Sequence, residues 1–424
     1  MIRRLLVALF LILSLVSFAQ ENTASPYSFY GLGEQKFKGT AEMRSMGGLS
    51  VIADSIHLNL QNPAFYPHVK LTTYTIGGSY STYKLKTNFD EEKARRTTLD
   101  YLAVGIPMGK FGGGFGLMPY TAVGYKIRTV TGDDEDAQTR QYQGSGGLNK
   151  AFVGLGYEIT KGLSIGAEFG YYFGHIETSS TLSALPAGVQ FGTREINDSK
   201  ANGPGLTTGL AYVGKLGKKL MISSSVMYSP ESHITLSNER KIATIRYLSN
   251  GQSVVVDEND ANVSDTKVNL PSKFSFGAAI GENRKWMAGA ELTLLQNSGS
   301  ADRFGEIAEP GELAARYKNG IRYTLGGYYI PKYNTFNEYW KKIVYRAGLR
   351  YEETGLVVNN KTITDAGMTL GLGFPLNGTF SNLNFGFEYG KRGTRDASLI
   401  EENYINFTVG LSFNDRWFVK RKYD

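Results

Sequence analysis

The feature that most constrains the fold is a hydrophobic period of two that continues past residue 72. Apolar side chains alternate there with Gly, Ser, Thr, Asn or Glu, most clearly in the stretches 163–171, 274–281, 366–374, 383–389 and 404–413. Successive side chains of a strand point to opposite faces, so this pattern predicts strands with one apolar and one polar face. The 27 Tyr, 23 Phe and 51 Gly residues agree with an all-β chain. The absence of cysteine excludes a disulfide scaffold, a thiolate metal site and a lipoprotein anchor.

The connections between these stretches favour a membrane barrel over a soluble sandwich. Strands of roughly 10–13 residues are joined alternately by short turns and long polar loops, as in outer-membrane barrels. We expect short turns at 109–112, 160–162, 216–219, 282–285, 331–342 and 376–382. We expect long loops at 86–96, 131–139, 178–202, 236–267, 297–316, 352–364 and 391–403. Segments between these breaks number about fourteen, an even number that places both ends of the barrel on the short-turn side, expected to be periplasmic.

Closure of this sheet follows from the chemistry of the bilayer. Unpaired backbone N–H and C=O groups cost several kcal/mol each in hydrocarbon, so an open sheet edge does not survive there. The sequence therefore predicts a transmembrane antiparallel β-barrel with its apolar face toward lipid and its polar face toward the lumen.

The first 19 residues have the organisation of an export signal. Arg3 and Arg4 precede the apolar run 5–16, and Ala19 supplies a small residue at the expected cleavage site. The alternative is an uncleaved N-terminal helix. The chain has 46 basic and 39 acidic residues, and cleavage of the signal removes two arginines, so the mature chain has a net charge of +5. So small a positive charge gives no support to nucleic-acid binding. No later stretch of 18 apolar residues predicts a transmembrane helix.

The chain is accordingly divided into four parts. We predict a signal peptide at 1–19, an N-terminal hatch or plug inside the lumen at 20–71, the outer-membrane barrel at 72–413 and a periplasmic tail at 414–424. Segment 20–71 is too short for a typical separate domain, and a fourteen-stranded barrel is wide enough to need filling.

A turn signal lies within the long loop at 236–267. Asn250 and Gly251 separate two β-rich runs, which predicts a hairpin. The hairpin is either an extracellular ribbon that extends the strands or a surface that binds a partner.

Three short motifs carry a resemblance to a known family. They are Met46-Gly47-Gly48, the stretch 50–54 and the triplet Asn62-Pro63-Ala64 just before the first strand. With the strand count and length, they make the mature chain resemble the FadL/TodX-type hydrophobic-compound transporters. The opening at 25–28 and the ending at 413–417 resemble the Bacteroidota branch of that family.

The resemblance implies roles for several residues. It implies that the N-terminal segment is a hatch that meets the barrel at Asn62, Pro63 and Ala64. Phe65 and Tyr66 follow the triplet, where the family commonly has Gly and an aliphatic residue, and they are candidate ligand-lining residues. The same triplet is also an ordinary turn before a strand, because Pro restricts its neighbour and Asn favours turns.

The third strand contains an unusual proline. Pro119 follows Gly112, Gly113 and Gly114 in this strand. Proline cannot donate a ladder hydrogen bond, so Pro119 is expected at a bulge, kink or gap. In the family it resembles, a kink in the third strand opens a lateral gap for a hydrophobic ligand, and the three glycines would allow the bend. The alternative is a tolerated bulge near the periplasmic rim.

Charged residues of the polar face have two interpretations. Arg346 and Arg350 face the lumen together with several glutamates, and pairing that fills and rigidifies the lumen is the first interpretation. The second is that the two arginines hold an anionic head group as candidate ligand-lining residues.

No enzymatic site is predicted. The G-x-S-x-G match at 162–166 lies inside an alternating strand and lacks the strand–turn–helix context of a nucleophile elbow. The four histidines are scattered and the acidic loops lack calcium-loop spacing. We therefore expect no catalytic residue, no cofactor and no metal.

Three functions fit these expectations. The first is uptake of hydrophobic molecules resembling long-chain fatty acids, with lateral release at the third strand. The second is a structural or secretion-associated barrel, similar to the type IX secretion shuttle, that binds protein partners through its extracellular loops or C-terminal tail. The third is a general porin, which a hatch would block. The expected partners are a hydrophobic small molecule and outer-membrane lipid.

Overall fold

A computed structural model of the chain describes residues 23–36, 38–131, 138–184, 191–248, 252–297, 315–335, 337–376 and 380–416. The expected signal peptide at 1–19, the Asn250-Gly251 turn and residues 417–424 of the expected tail lie outside these ranges.

The described residues form nineteen strands and a few short helical turns. The strands are β1 (Glu34–Gln35), β2 (Thr72–Lys86), β3 (Glu91–Met108), β4 (Phe111–Thr131), β5 (Gln138–Thr160), β6 (Leu163–Ala184), β7 (Phe191–Leu216), β8 (Leu220–Ser229), β9 (Ser232–Tyr247), β10 (Ser253–Ala261), β11 (Thr266–Leu270), β12 (Ser272–Glu282), β13 (Trp286–Gln296), β14 (Ala315–Tyr317), β15 (Gly320–Tyr329), β16 (Val344–Val358), β17 (Lys361–Pro375), β18 (Asn382–Arg392) and β19 (Glu401–Asp415). The helical elements are the α-helical turn α1 (Ala41–Arg44) and 3-10 turns at Pro26–Phe29, Pro63–His68, Tyr339–Lys342 and Asp396–Ser398.

Fourteen of these strands close into an antiparallel barrel, which confirms the predicted fold class. Neighbours follow chain order through β2 to β8, then β12, β13 and β15 to β19. The ring closes where β19 pairs with β2, from Glu401 opposite Lys86 to Asp415 opposite Thr72. Both ends of the barrel sequence therefore lie at the end that carries the short turns, called the short-turn end below; the opposite end is the long-loop end.

The outer surface of the barrel is apolar. Phe115, Val153, Phe169 and Leu206 stand opposite one another on four successive strands, β4 to β7. Each of them is 45–58% exposed, although each is a large hydrophobic side chain. An apolar belt of this kind around a closed barrel is the surface that a bilayer covers. Among the described residues, no helix is long and apolar enough to span a membrane.

Several strands are longer than predicted, and several expected loops are strands. The expected length of roughly 10–13 residues holds for β8, with 10, but β7 has 26. Most of the expected loop at 178–202 belongs to β6 and β7, and the expected loop at 352–364 is a tight hairpin of β16 and β17. The polar composition of these stretches marks where the strands leave the apolar belt, while backbone pairing continues beyond it.

The long connection between β8 and β12 rises as a ribbon above the long-loop end. β9 pairs with β7 on one side and with β10 and β11 on the other. The strands β9 and β10 flank the Asn-Gly pair that predicted a hairpin.

The N-terminal segment, residues 23–36 and 38–71, contacts inward-facing residues on widely separated strands of the barrel. Arg44 forms an ion pair with Asp100 of β3, and Ser50 Oγ donates to Glu291 of β13. The backbone N–H of Gly47 donates to Thr369 Oγ1 of β17 at 2.9 Å. Because these partners lie on widely separated strands, the segment runs through the lumen.

Candidate lumen site and the seam beside it

The barrel wall has one interruption in its strand pairing among the described residues, between β3 and β4. These strands pair only from Met108 opposite Phe111 to Leu102 opposite Leu117, next to the short-turn end. Beyond that point β3 continues to pair with β2, and β4 with β5. We call this unzipped interval between β3 and β4 the seam.

Pro119 stands at the lower end of the seam. It lies two residues beyond Leu117, and the β4–β5 register shifts between Pro119 and Thr121. The bulge reverses which side chains face the lumen: Gly112 and Gly114 face inward before it, whereas Val123 and Tyr125 are buried after it. The bulge thus coincides with the loss of β3 as a partner.

The N-terminal segment occupies the edge of β4 that the seam exposes. Glu34 and Gln35, which form β1, stand opposite Ala122 and Thr121, and the N–H of Lys36 donates to Tyr120 O at 2.9 Å. On the other side, Arg96 Nε of β3 donates to Thr23 O at 3.0 Å. Residues 23–36 therefore close the seam from the inside.

A cavity of about 200 Å³ lies in the lumen directly behind this closure. Its lining includes Leu32, Gly33, Glu34 and Gln35 of the N-terminal segment. The rest of the lining is mixed, with the apolar Leu270 and Leu295 and with charged residues, which are Lys38, Lys273, Arg322, Glu352, Asp365 and Arg392. The same short stretch of chain thus seals the seam and forms one wall of the cavity.

Most charges around the cavity are paired. Asp365 Oδ2 is 3.1 Å from Lys38 Nζ and 2.9 Å from Arg392 Nη2. Arg392 also holds Glu34 at 2.7 Å, and Arg322 Nε is 2.8 Å from Glu352 Oε2. These ion pairs join the N-terminal segment to β17 and β18 and stiffen the cavity wall.

Lys273 is the exception among the described residues that line the cavity. No carboxylate of the described chain lies within ion-pair distance of its Nζ, although it sits among Leu270, Leu295 and Arg322. A half-buried ammonium group without a partner carboxylate favours an anionic group in the cavity.

The triplet Asn62-Pro63-Ala64 is placed at a different site. Asn62 caps the 3-10 turn Pro63–His68, with its Oδ1 accepting from Ala64 N at 3.0 Å. Ala64 is fully buried, and its carbonyl accepts from Ser164 Oγ at 2.7 Å. The triplet is therefore a turn that is also packed tightly onto the wall at β6 and β7.

Phe65 and Tyr66 do not line the cavity. They are 2% and 1% exposed, and Tyr66 donates its hydroxyl proton to Glu168 Oε2 at 2.8 Å. Their surroundings are close-packed protein, so the expected ligand-lining role finds no open space next to them.

The glycines at the start of β4 provide clearance. A Cβ on Gly112 would lie 2.2 Å from Tyr66 O, and one on Gly114 would lie 3.0 Å from the Tyr66 ring. Gly113 points away, toward Met108. None of the three has a positive φ, so their conformational freedom is not used here. Two of them make room for Tyr66.

Arg346 and Arg350 are buried in paired networks and do not line the cavity. Arg346 Nη1 donates to Asn384 Oδ1 at 2.9 Å, and Arg350 Nη2 is 2.9 Å from Glu388 Oε1. Arg350 also reaches Asp365 at 3.3 Å. Arg350 thus pairs with inward carboxylates, whereas the contact of Arg346 is to a neutral amide.

Sequence reasoning did not single out Lys273 or Asp365. A signal was present: Lys273 lies two residues before Ser275 on the polar face of the stretch 274–281, and Asp365 lies two before Gly367 on that of 366–374. Extending the alternation by one residue at the start of each stretch assigns both side chains to the lumen. The described residues contain no group of His, Cys, Asp and Glu arranged to hold a metal ion.

The fold defines a class of protein: a closed fourteen-stranded antiparallel β-barrel with an apolar outer surface. The chain belongs to the BamG family, whose model matches residues 1–424. Among curated proteins, none matches this sequence.

Solved structures of the FadL/TodX type share the fold. The Pseudomonas putida toluene transporter TodX is 16% identical with a TM-score of 0.56, covering 91% of this chain and 100% of that one. A Pseudomonas aeruginosa FadL homologue is 10% identical with a TM-score of 0.61, covering 90% and 100%. The Ralstonia pickettii toluene transporter TbuX is 13% identical with a TM-score of 0.57, covering 88% and 98%. At these identities the likeness concerns the fold.

Proposed function

We propose that this barrel carries a small hydrophobic molecule with an anionic end, such as a fatty acid, across the outer membrane and releases it sideways through the seam. One observation carries the proposal: residues 33–35 line the cavity and also occupy the exposed edge of β4. Displacing this one stretch would join the cavity to the lower end of the seam, where Leu99 and Leu117 belong to the apolar outer surface, and hence to the bilayer.

The proposed ligand follows from the cavity lining. Leu270 and Leu295 offer apolar surface, and Lys273 offers a cation with no described carboxylate partner. An alkyl chain with a carboxylate would satisfy both. The names of TodX and TbuX describe toluene transporters, which supports a hydrophobic cargo; the anionic end is proposed from Lys273.

The finer roles belong to the same proposal. Pro119 would mark the lower end of the release path, and Asn62-Pro63-Ala64 would fix the hatch to the wall while residues 23–36 move. The short-turn end would face the periplasm, together with both termini. The stretches 25–28 and 413–417 support placing the chain in a Bacteroidota branch.

A disulfide lock tests the release path. Gln35 and Thr121 stand directly opposite each other in an antiparallel pair, where Cα atoms are about 4.5–5.5 Å apart, within the range of a disulfide. The chain has no cysteine, so Gln35→Cys with Thr121→Cys forms one defined bridge. The readout is transfer of radiolabelled dodecanoate into liposomes that contain the full chain.

The matched control places a disulfide where the wall is already paired. Ser275→Cys with Thr293→Cys joins two inward side chains of β12 and β13 whose oxygens are 2.8 Å apart. In the Gln35→Cys/Thr121→Cys variant, we expect oxidation to reduce the rate of transfer about tenfold, which corresponds to a rise of roughly 1.4 kcal/mol in the activation free energy. We expect a reductant to restore the rate. Equal transfer rates for the oxidised and reduced forms of this variant would refute release through the seam.

The anionic end is tested separately. We expect Lys273→Gln to reduce dodecanoate transfer about tenfold, because a charge-assisted hydrogen bond contributes roughly 1.5–3 kcal/mol. Transfer of uncharged dodecanol should be unchanged. Lys285→Gln, on an exposed turn, is the matched control. Equal loss for both probes would assign Lys273 to the structure of the wall.

A second function is favoured by a different observation. The strand β10 is exposed along Val254, Val255 and Val256, and in the described chain it pairs only with β9. An exposed edge strand is a site for strand addition by another protein, which fits the secretion-associated alternative. If liposomes with reduced, unlocked protein transfer dodecanoate no faster than protein-free liposomes, transport fails and this alternative is preferred.

A further inference from the structure

The outer surface of the barrel contains a groove of about 410 Å³ near the long-loop end. Four outward side chains form a row across adjacent strands: Tyr323 stands opposite Tyr351, Tyr351 opposite Ala366, and Ala366 opposite Lys391. Three of these side chains are large, and Ala366 is small. The groove is the space that the short side chain leaves in the row.

The row below it forms the apolar floor and sides of the groove. Leu349, Met368 and Tyr389 stand opposite one another one step closer to the middle of the membrane, each about half exposed. Because these residues belong to the belt that the bilayer covers, the groove faces hydrocarbon. Tyrosines at this level are typical of the interfacial girdle of a membrane barrel.

The rim of the groove carries a net positive charge. Lys391 Nζ is 2.9 Å from Glu401 Oε2, and Arg395 Nε is 3.7 Å from the same oxygen. Two cations thus share one carboxylate, and both cations are more than half exposed while Glu401 is 12% exposed. Asp396 next to them has its own partner, Lys361, at 3.8 Å.

We propose that this groove is a binding site for a membrane lipid with an anionic phosphate headgroup. One acyl chain lies over Ala366 between Tyr351 and Tyr389, and the phosphate contacts Lys391 and Arg395 above it. An acyl chain fits because the groove is apolar and opens to hydrocarbon, and a phosphate fits because the surplus cation lies at the level of the headgroups. The site is on the opposite face of the wall from the cavity and does not depend on transport.

The test counts lipids bound to the purified full chain in mild detergent by native mass spectrometry. Dioleoyl phosphatidylglycerol is titrated against dioleoyl phosphatidylcholine, which has the same chains and no net charge. We expect one phosphatidylglycerol to bind about tenfold more tightly than phosphatidylcholine. Binding of both lipids with equal affinity would refute the headgroup contact.

Two variants separate the two parts of the site. Ala366→Phe fills the groove, and we expect it to weaken binding of the first phosphatidylglycerol about tenfold. Lys391→Gln with Arg395→Gln should leave phosphatidylcholine binding unchanged and lower phosphatidylglycerol binding to the same level. Both effects follow from separate contacts, one apolar and one ionic.

The matched control for added volume is Ala278→Phe. Ala278 also points outward, on β12, and does not line the groove. The folding of each variant is checked by its heat-modifiable migration on electrophoresis. If Ala366→Phe and Ala278→Phe bind phosphatidylglycerol like the natural protein, bound lipid is general annular lipid and the proposal is wrong.

Discussion

The N-terminal segment is held in the barrel in two different ways along its length. Residues 40–70, the anchor half, are packed: Leu49 and Ala64 are fully buried, and Tyr66 is 1% exposed. In residues 23–36 and 38, the cavity half, Tyr27 and Tyr30 are also buried, but residues 30–35 and Lys38 border open space, where β1 and ion pairs of Glu34 and Lys38 tie them to the wall. Packing holds a chain through many weak contacts, whereas ion pairs hold it at a few points. We therefore expect the anchor half to stay fixed to the wall and residues 30–35 of the cavity half, which border the cavity, to be displaced more easily.

The wall is built to receive the anchor half. A Cβ on Gly326 would lie 2.3 Å from Met46 O, and one on Gly348 would lie 2.2 Å from Met46 C. Gly112, next to Tyr66, shows the same close approach. Glycines on the inner face let the backbone of the segment approach the backbone of the strands.

The largest expected effect comes from removing the carboxylate that ties the cavity half to the wall. Asp365→Ala leaves Lys38, Arg350 and Arg392 without this buried partner, and breaking a buried pair costs roughly 3–5 kcal/mol. Urea unfolding in detergent measures the loss of stability. Amide hydrogen exchange should rise in residues 31–36 and stay unchanged in residues 44–49.

The control for this variant is an exposed ion pair. Lys318 and Glu353 are 3.1 Å apart with both side chains more than a third exposed, so Glu353→Gln should cost less than about 1 kcal/mol. An equal rise in exchange in both halves of the segment after Asp365→Ala would remove the distinction between them.

A smaller effect is expected from filling the clearance beneath the anchor half. Gly112→Ala places a methyl group against the backbone of Tyr66 and should destabilise the barrel by about 1–3 kcal/mol. The neighbouring Gly113→Ala is the matched control, because its Cβ would lie 3.2 Å from the flexible end of Met108 and at an ordinary contact distance of 3.8 Å from Gly154 O. We expect a change within about 0.5 kcal/mol for it. Similar losses in the two variants would restore the view that these glycines serve to bend the strand.

The smallest effect is expected from acid. Burial raises the pKa of Glu34, but the charges of Arg392, Lys36 and Lys38 outweigh burial and hold the pKa below its ordinary value. Stability from this carboxylate is present above the unfolded pKa of about 4.3 and is lost as pH falls toward the lowered folded value.

Exchange in residues 31–36, corrected for the intrinsic pH dependence, should therefore rise in acid before exchange in residues 44–49. Glu34→Gln should remove this early rise. The same acid dependence in Glu34→Gln would assign the effect to another group.

The sequence predicts the fold well because the bilayer imposes a local rule. Every second residue of a strand in the belt must be apolar, as in 163–171 and 404–413, so strand number and closure follow from the pattern. Strand length does not follow. Beyond the belt that rule no longer applies, and the pairing of β6 with β7 continues through polar residues that read as a loop.

The site was only partly predictable, for a geometric reason. The alternation of apolar and polar residues assigns Lys273 and Asp365 to the lumen. It does not predict which residue of the N-terminal segment lies opposite each of them. Asp365 and its partner Lys38 are separated by 327 positions. Pro119 could be singled out because its chemistry is local, and the ladder between β3 and β4 indeed ends two residues before it.

The seam also has a mechanical consequence for the whole cylinder. A barrel that is hydrogen-bonded all round resists deformation evenly, because each strand transmits shear to both neighbours. Here β3 and β4 transmit it directly to each other only near the short-turn end. We therefore expect a thinner bilayer or lateral tension, when it squeezes or stretches the wall, to concentrate strain where this ladder ends.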